Sequence, residues 1–337
     1  MILHPSILAL LIGSLLTCFL LLYGAFYGVS VLRRWDLRSG SEAQLEMERR
    51  TYLISTMVGY AFAFELLSLF LFIYTADDLC RLFSGAMCAA GTLNVNAFGY
   101  PALAIKIVNF LLAGTWLILN YVDNRAYDYP LIRVKYLLLL LVTPMMLAET
   151  ALQFAFFLRL DPDIITSCCS TLFSAEPREA EARSLVAIIS GIPLRALFFV
   201  LMTSTVLWGI FVYRGAGKGG GPYAVLSLIV FFVSIAAMIS VFSLYFYDLP
   251  THHCPFCVLK AEYGYAGYPL YLTLFGGTVT GIGVGAIAPF KKVESLANVL
   301  PPVQRRLLLV SMICFALFAS IVLGKVISSN LRLEGIL

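Results

Sequence analysis

Eight long apolar runs constrain this chain more than any other feature of its sequence. A transmembrane helix needs about 20 predominantly apolar residues. Runs of that kind lie near residues 8–31, 52–74, 102–122, 135–158, 186–212, 223–246, 267–290 and 307–327. The composition agrees, since 61% of the residues are hydrophobic and only 12% are charged. We therefore predict an all-α fold, a polytopic integral membrane helical bundle of about eight transmembrane helices, which forms a single transmembrane domain over residues 1–337.

Basic residues in alternate connections predict the orientation of this bundle. They fill the first, third, fifth and seventh connections, at Arg33, Arg34, Arg38, Arg49, Arg50, Arg125, Arg133, Lys135, Arg214, Lys218, Lys291, Lys292, Arg305 and Arg306. Connections rich in lysine and arginine stay on the cytoplasmic side, so both termini are predicted to lie outside. The outer loops then lie near residues 75–101, 159–185 and 247–266. No lysine or arginine precedes the first apolar run, which favours a retained helix over a signal peptide.

The net charge of +4 is too small to indicate a nucleic-acid partner, and the partner that the composition does indicate is membrane lipid.

The cysteines are distributed unevenly across the predicted topology. Six of the eight fall in the predicted outer loops, at Cys80, Cys88, Cys168, Cys169, Cys254 and Cys257. Thiols gathered on an oxidising face are typical of disulfides or of redox chemistry outside the cytoplasm.

The densest reactive cluster is His252-His253-Cys254-Pro255-Phe256-Cys257, which holds two of the three histidines in the chain. Two thiols at this spacing can exchange a disulfide or bind a soft metal, and the adjacent imidazoles can take part in either chemistry. If the cysteine pair opens a helix, the helix dipole favours thiolate over thiol. The alternative is a structural disulfide or a structural zinc site in the loop.

Three short matches indicate a repeated hairpin. Gly99-Tyr100-Pro101, Gly191-Ile192-Pro193 and Gly267-Tyr268-Pro269 each follow a cysteine-bearing loop and precede an apolar run. Proline is tolerated in the first turn of a helix, so we predict three similar hairpins with cysteine-bearing outer loops. The alternative is that glycine followed by proline is merely a common helix entry. Gly277, Gly281 and Gly285 form a separate small-residue ridge, which predicts close packing between helices.

Charged residues inside the spans are costly unless they are paired or functional. Glu65, Lys106, Glu149 and Arg195, together with Gln153, all fall in the predicted outer halves of their helices. They suit a polar pocket for a quinone head group, an ion or a proton path; the alternative is a buried Glu–Arg pair that ties helices together. We expect no haem ligated by this chain, because no histidine lies in the middle of a span and no C-x-x-C-H occurs.

The cysteine loops resemble a known family. Cys80 and Cys88, followed by Phe98-Gly99-Tyr100-Pro101-Ala102-Leu103, resemble the loop-cysteine pair and helix entry of bacterial vitamin K epoxide reductase homologues. Cys254-Pro255-Phe256-Cys257-Val258-Leu259 is similar to the active C-x-x-C of that family. It is also similar to the C-x-x-C of the DsbB membrane oxidoreductases, in which a basic residue shortly after the motif contacts quinone. Lys260 stands nearest to that position here.

The resemblance implies that a loop pair shuttles electrons to the C-x-x-C, which reduces a bound quinone. It also implies disulfides between Cys80 and Cys88 and between Cys254 and Cys257. The chain departs from these families in two ways. They form a four-helix bundle, and the vitamin K type has two helices between the loop pair and the C-x-x-C, where this chain has four predicted helices. Neither family is expected to carry histidines at the positions of His252 and His253.

The leading hypothesis is a thiol–disulfide oxidoreductase of a bacterial cytoplasmic (inner) membrane, which passes electrons from an envelope thiol protein to quinone. Its cysteines divide into a quinone-proximal pair, Cys254 and Cys257, and a partner-facing shuttle, Cys80 and Cys88. The residues assigned to the quinone are Lys260 and Arg195, which stabilise its anion, and Glu65 and Glu149, which line its pocket.

Two alternatives stay open. In the first, His252, His253, Cys254 and Cys257 bind Cu(I) or Zn²⁺ in a metal transporter or delivery protein. In that case Glu65 and Glu149 line a path. In the second, the chain is a non-catalytic anchor subunit of a larger respiratory or cytochrome-assembly complex, and its cysteines form plain disulfides.

Overall fold

The computed structural model describes residues 3–36, 41–166, 193–215, 217–249 and 252–331, and this part of the chain contains helices and turns but no strand. Within these residues, eight long helices have the length and hydropathy needed to cross a membrane. They are α1 (Pro5–Arg34), α2 (Glu42–Leu79), α3 (Gly99–Asp123), α4 (Ile132–Leu158), α5 (Leu194–Arg214), α6 (Gly220–Ala237), α7 (Gly267–Ile287) and α8 (Leu300–Ser328). The prediction of an all-α fold with eight apolar helices is thus confirmed for the described residues. The orientation and the three similar hairpins stay predictions.

The chain divides into two compact units. The first unit comprises Met1–Ser84, Thr92–Ile165 and Pro289–Val303. Within it α1 packs on α2, α2 on α3, α3 on α4, and α4 back on α1, which closes a ring of four helices. Large aromatic side chains fill its interior; the rings of Phe62 and Trp116, for example, meet at 5.1 Å.

The second unit comprises Gly85–Gly91, Thr166–Ala288 and Gln304–Leu337. In it α6 packs on both α5 and α7. The part of α8 that belongs to this unit is held by Ser311, whose hydroxyl donates to the carbonyl of Gly277 at 2.8 Å. This division into compact units does not test the prediction of one transmembrane domain over residues 1–337, which stays a prediction.

The glycine–proline matches coincide with helix starts. α3 begins at Gly99 and α7 begins at Gly267, so Pro101 and Pro269 lie in first turns, where no backbone N–H is needed. Pro193 directly precedes α5. The other two residues of that match, at positions 191 and 192, lie outside the described residues.

α6 changes its hydrogen-bonding pattern before it ends. It continues through a π-helical turn at Met238–Phe242 into a short helix at Ser243–Tyr247. Asp248 then takes a left-handed conformation, with φ of 52°, and ends the helix. A π turn rotates the residues that follow it relative to a regular α-helix, and these residues include Tyr247, which contacts the site described below.

The glycine ridge on α7 packs as predicted. A Cβ atom at Gly281 would lie 2.3 Å from the hydroxyl oxygen of Ser227, and one at Gly285 would lie 2.4 Å from the Cβ of Ala224. Both neighbours belong to α6. The absence of side chains at these positions therefore allows α6 and α7 to approach closely.

We expect Gly285→Ala to destabilise the protein by about 1–3 kcal/mol, because the added methyl overlaps a rigid methyl group and forces the helices apart. Thermal unfolding of the purified protein in detergent measures the change. Gly276→Ala is the matched control on the same helix. A Cβ there would meet the sulfur of Cys314 at an ordinary 3.6 Å, and alanine favours the helix by about 0.8–1.0 kcal/mol. Equal effects of the two substitutions would contradict the packing argument.

Candidate functional site

Three cysteine sulfurs meet in the second unit. Those of Cys88, Cys254 and Cys257 all lie within 4.8 Å of one another, and the sulfurs of Cys88 and Cys254 are 3.4 Å apart. We call these three residues the thiol cluster. Cys88 directly precedes a short helix at Ala89–Leu93, whereas the other two lie in the connection between α6 and α7. Two connections distant in sequence therefore supply one group of thiols.

Two tyrosine hydroxyls hold the loop that carries Cys254 and Cys257. Tyr247, at the end of the helical segment that follows α6, donates to the carbonyl of Cys254 at 2.5 Å. Tyr271, in the first turns of α7, donates to the carbonyl of Pro255 at 2.6 Å. The backbone of the loop is thus tied to both helices that it connects.

The expectation that the C-x-x-C opens an α-helix is wrong. Cys257 begins a single 3₁₀ turn, Cys257–Leu259, and α7 begins only at Gly267. The helix dipole therefore cannot be the cause of thiolate character here. Instead, hydrogen bonds with Cys257 and Cys88 hold the pKa of the Cys254 thiol well below its ordinary value, against the opposing effect of burial.

The segment that carries Cys88 is fixed by close backbone contacts. Gly85 has φ of +85°, and a Cβ there would lie 2.1 Å from the carbonyl oxygen of Thr166, so a side chain at this position would clash. The hydroxyl of Thr166 donates to the carbonyl of Gly91 at 3.0 Å. These contacts hold both ends of the segment Gly85–Gly91 against Thr166.

The two adjacent histidines have different surroundings. Nε2 of His252 lies 3.3 Å from the sulfur of Cys257, and its imidazole meets the ring of Tyr247 edge-on at 4.6 Å. Nδ1 of His253 lies 3.1 Å from the carbonyl oxygen of Ile239, in the π turn of α6. The structure therefore brings one of the two predicted imidazole ligands to the thiols and places the other against the backbone.

The remaining predicted redox and quinone residues lie on several different elements. Cys80 is buried in the 3₁₀ turn that follows α2, in the first unit. Lys260 is half-buried at the end of the Cys257–Leu259 turn. Arg195 lies in the first turn of α5, with Nη1 3.5 Å from the hydroxyl of Tyr245.

The structure has no S–S bond between Cys80, Cys88, Cys254 and Cys257, and the disulfides implied by the resemblance stay predictions. Cys254 lies against Cys88 as well as near Cys257, so its position does not single out the expected partner. Cys168 and Cys169 lie outside the described residues.

A second polar cluster is buried in the first unit. Nζ of Lys106 contacts a carboxylate oxygen of Glu149, the hydroxyl of Ser68 at 2.8 Å, and a carboxylate oxygen of Glu65 at 3.4 Å. Nδ2 of Asn109 donates to the second oxygen of Glu149 at 2.7 Å. We call Glu65, Lys106 and Glu149 the carboxylate–lysine cluster. In the alternative interpretation of a buried Glu–Arg pair, the cation differs from the one in the structure, since both carboxylates face Lys106.

Gln153 is also buried but binds elsewhere, to the carbonyl of Leu10 and the hydroxyl of Ser14, at 3.2 Å each.

The residues that the sequence interpretation missed are Cys88 as a neighbour of the C-x-x-C, the tyrosines that hold the loop, and Asn109. For Cys88 a signal existed, because the predicted topology placed it on the same side as Cys254.

No family model matches this sequence, and neither a curated protein nor a solved structure is similar to it.

Proposed function

We propose that this chain is a membrane protein that binds one thiophilic metal ion, Zn²⁺ or Cu(I), at the thiol cluster, and that it serves metal transport or delivery in a bacterial cytoplasmic membrane. The observation that supports this proposal is the convergence of three buried sulfurs from two connections. The exposed fractions of Cys88, Cys254 and Cys257 are 0%, 0% and 5%. Three converging thiols are the donor set that soft cations prefer.

The distances suit such an ion. With Zn–S bonds of about 2.3 Å, a tetrahedral site holds its sulfurs about 3.8 Å apart, which falls between the 3.4 Å contact and the 4.8 Å limit of the cluster. Three thiolates bind Cu(I) or Zn²⁺, and the imidazole of His252 beside Cys257 is the nearest candidate for a fourth donor. Burial keeps competing water away from the ligands.

Metal content tests this proposal. Protein purified under reducing conditions and offered Zn²⁺ or Cu(I) is expected to retain about one ion per chain after desalting, as measured by mass spectrometry of the elements. His252→Ala should weaken retention, because His252 contacts the cluster. His253→Ala is the matched control and should retain the ion, since its ring faces a backbone carbonyl. When Zn²⁺ and Cu(I) are offered together, the ion that the protein retains is the preferred one.

A chain that retains neither ion would contradict the metal proposal. Equal losses in the two histidine variants would also contradict the role given to His252.

A second candidate function is the thiol–disulfide oxidoreductase, and it is favoured by the 3.4 Å contact between Cys88 and Cys254. A relay between a loop cysteine and a C-x-x-C requires such a contact, because the attacking thiolate must reach a disulfide sulfur. Oxidation of two thiols to a disulfide would give two electrons and two protons to a quinone, which becomes quinol. Metal-free protein that oxidises an added dithiol while reducing a ubiquinone analogue would establish this function instead.

A further inference from the structure

The carboxylate–lysine cluster combines two acidic groups with one ammonium group in the interior of the first unit. Glu65 and Glu149 are both fully buried, and Lys106 is 1% exposed. With all three groups ionised, the cluster carries one excess negative charge. An uncompensated charge in a dry helix bundle is expensive, so the cluster needs a further positive charge.

Two buried oxygen atoms, one in the cluster and one on the neighbouring Asn109, have no hydrogen-bond partner among the described residues. They are Oε2 of Glu65 and Oδ1 of Asn109, both on fully buried residues. The carboxyl groups of Glu65 and Glu149 both contact the ammonium group of Lys106. Two ionised carboxylates held at one ammonium group repel each other, and a proton on one of them removes this repulsion.

Each helix of the first unit presents a titratable group to this region. α2 carries Glu65, α3 carries Lys106, α4 carries Glu149, and α1 carries Cys18. The sulfur of Cys18 lies 3.0 Å from the hydroxyl of Thr150 and 3.6 Å from the carbonyl of Met146. A thiol adds no positive charge, so these surroundings leave the excess negative charge uncompensated.

We propose that the carboxylate–lysine cluster is a proton-binding site, which takes up one proton between the carboxyl groups of Glu65 and Glu149. Uptake forms one O–H bond on a carboxyl group, which then has a hydrogen-bond donor, and changes the charge of the cluster from −1 to zero. Lys106 stays an ammonium and holds the remaining carboxylate. Carboxyl groups inside transmembrane bundles commonly serve proton relays, and this site is independent of the thiol cluster.

Infrared difference spectroscopy of the protein in lipid nanodiscs tests the proposal. At neutral pH the wild type is expected to show the carbonyl stretching band of a protonated carboxylic acid, and this band should shift to lower frequency in D₂O. Alkaline titration should remove it. Glu65→Gln or Glu149→Gln should abolish the band, because either substitution removes one of the two groups that share the proton.

Glu46→Gln is the matched control on α2, because Glu46 lies on the exposed surface in a pair with Arg50, and the band should survive this change. The wild-type deuterium shift keeps the test valid even if a buried variant fails to fold. Absence of the band at neutral pH would overturn the proposal. Loss of the band when NaCl replaces choline chloride would also overturn it, since Na⁺ would then be the bound cation.

Discussion

Replacing Cys88 by serine is expected to weaken metal binding by more than about 100-fold, since even the groups that merely support metal ligands contribute about 10–100-fold to affinity. The substitution removes a sulfur that lies 3.4 Å from Cys254 and leaves the C-x-x-C untouched. A hydroxyl oxygen is a poor ligand for Cu(I) and Zn²⁺ compared with a thiolate. Competition against a chelator of known affinity measures the loss.

Cys80→Ser is the matched control, because the sulfur of Cys80 is not one of the three in the thiol cluster. The metal proposal predicts unchanged affinity for this variant. A redox relay predicts that Cys80→Ser loses activity, since the shuttle predicted from the resemblance needs both Cys80 and Cys88. If both serine variants lose dithiol-dependent quinone reduction while neither changes metal affinity, the metal proposal is contradicted and the oxidoreductase is supported.

The eight helices could be predicted because their signal is additive. Each apolar run is long enough to cross a bilayer by itself, and no single residue decides the outcome. Helix starts were predictable where the local chemistry is strict, as at Gly99 and Gly267, where proline follows within the first turn. The division into two compact units depends on which helices pack together. Hydropathy along the chain carries no information about that choice.

The candidate site was predictable only in part, because its geometry depends on contacts between distant segments. Cys88 and Cys254 are separated by 166 positions, and nothing local to either residue indicates the other. The C-x-x-C was found from its spacing, but the tight turn that follows Cys257 replaces the expected helix. Neighbouring histidines looked equivalent in the sequence, whereas the fold directs His252 to a thiol and His253 to a carbonyl.

The pairing of the buried charges was also only partly predictable from the sequence. The cost of a charge inside a membrane indicated that Glu65 and Glu149 are paired or functional, and in the structure both are paired. Their partner is Lys106, because three different helices bring these residues together. Arg195 belongs to the second unit and faces Tyr245. Sequence reasoning could thus identify the costly residues but could not assign the pairs.

Replacing Lys106 by methionine is expected to destabilise the first unit by about 3–5 kcal/mol, which is the usual loss when one partner of a buried ion pair is removed. Methionine keeps most of the length of the lysine side chain, so the main change is the lost positive charge. Two carboxyl groups then stay buried without the ammonium group that contacts both. Chemical denaturation in detergent at neutral pH measures the difference.

The cause can be separated from a simple packing defect by removing the charges together. The triple variant Lys106→Met, Glu65→Gln, Glu149→Gln should recover much of the lost stability, because no unpaired charge is left in the core. Arg50→Met removes a cation from an exposed pair with Glu46 and should leave the unfolding transition unchanged. The loss in Lys106→Met should also shrink as the pH is lowered, since protonated carboxyls need no counter-charge. A loss that is independent of pH and persists in the triple variant would show that lysine acts through packing, and the electrostatic role of the carboxylate–lysine cluster would have to be abandoned.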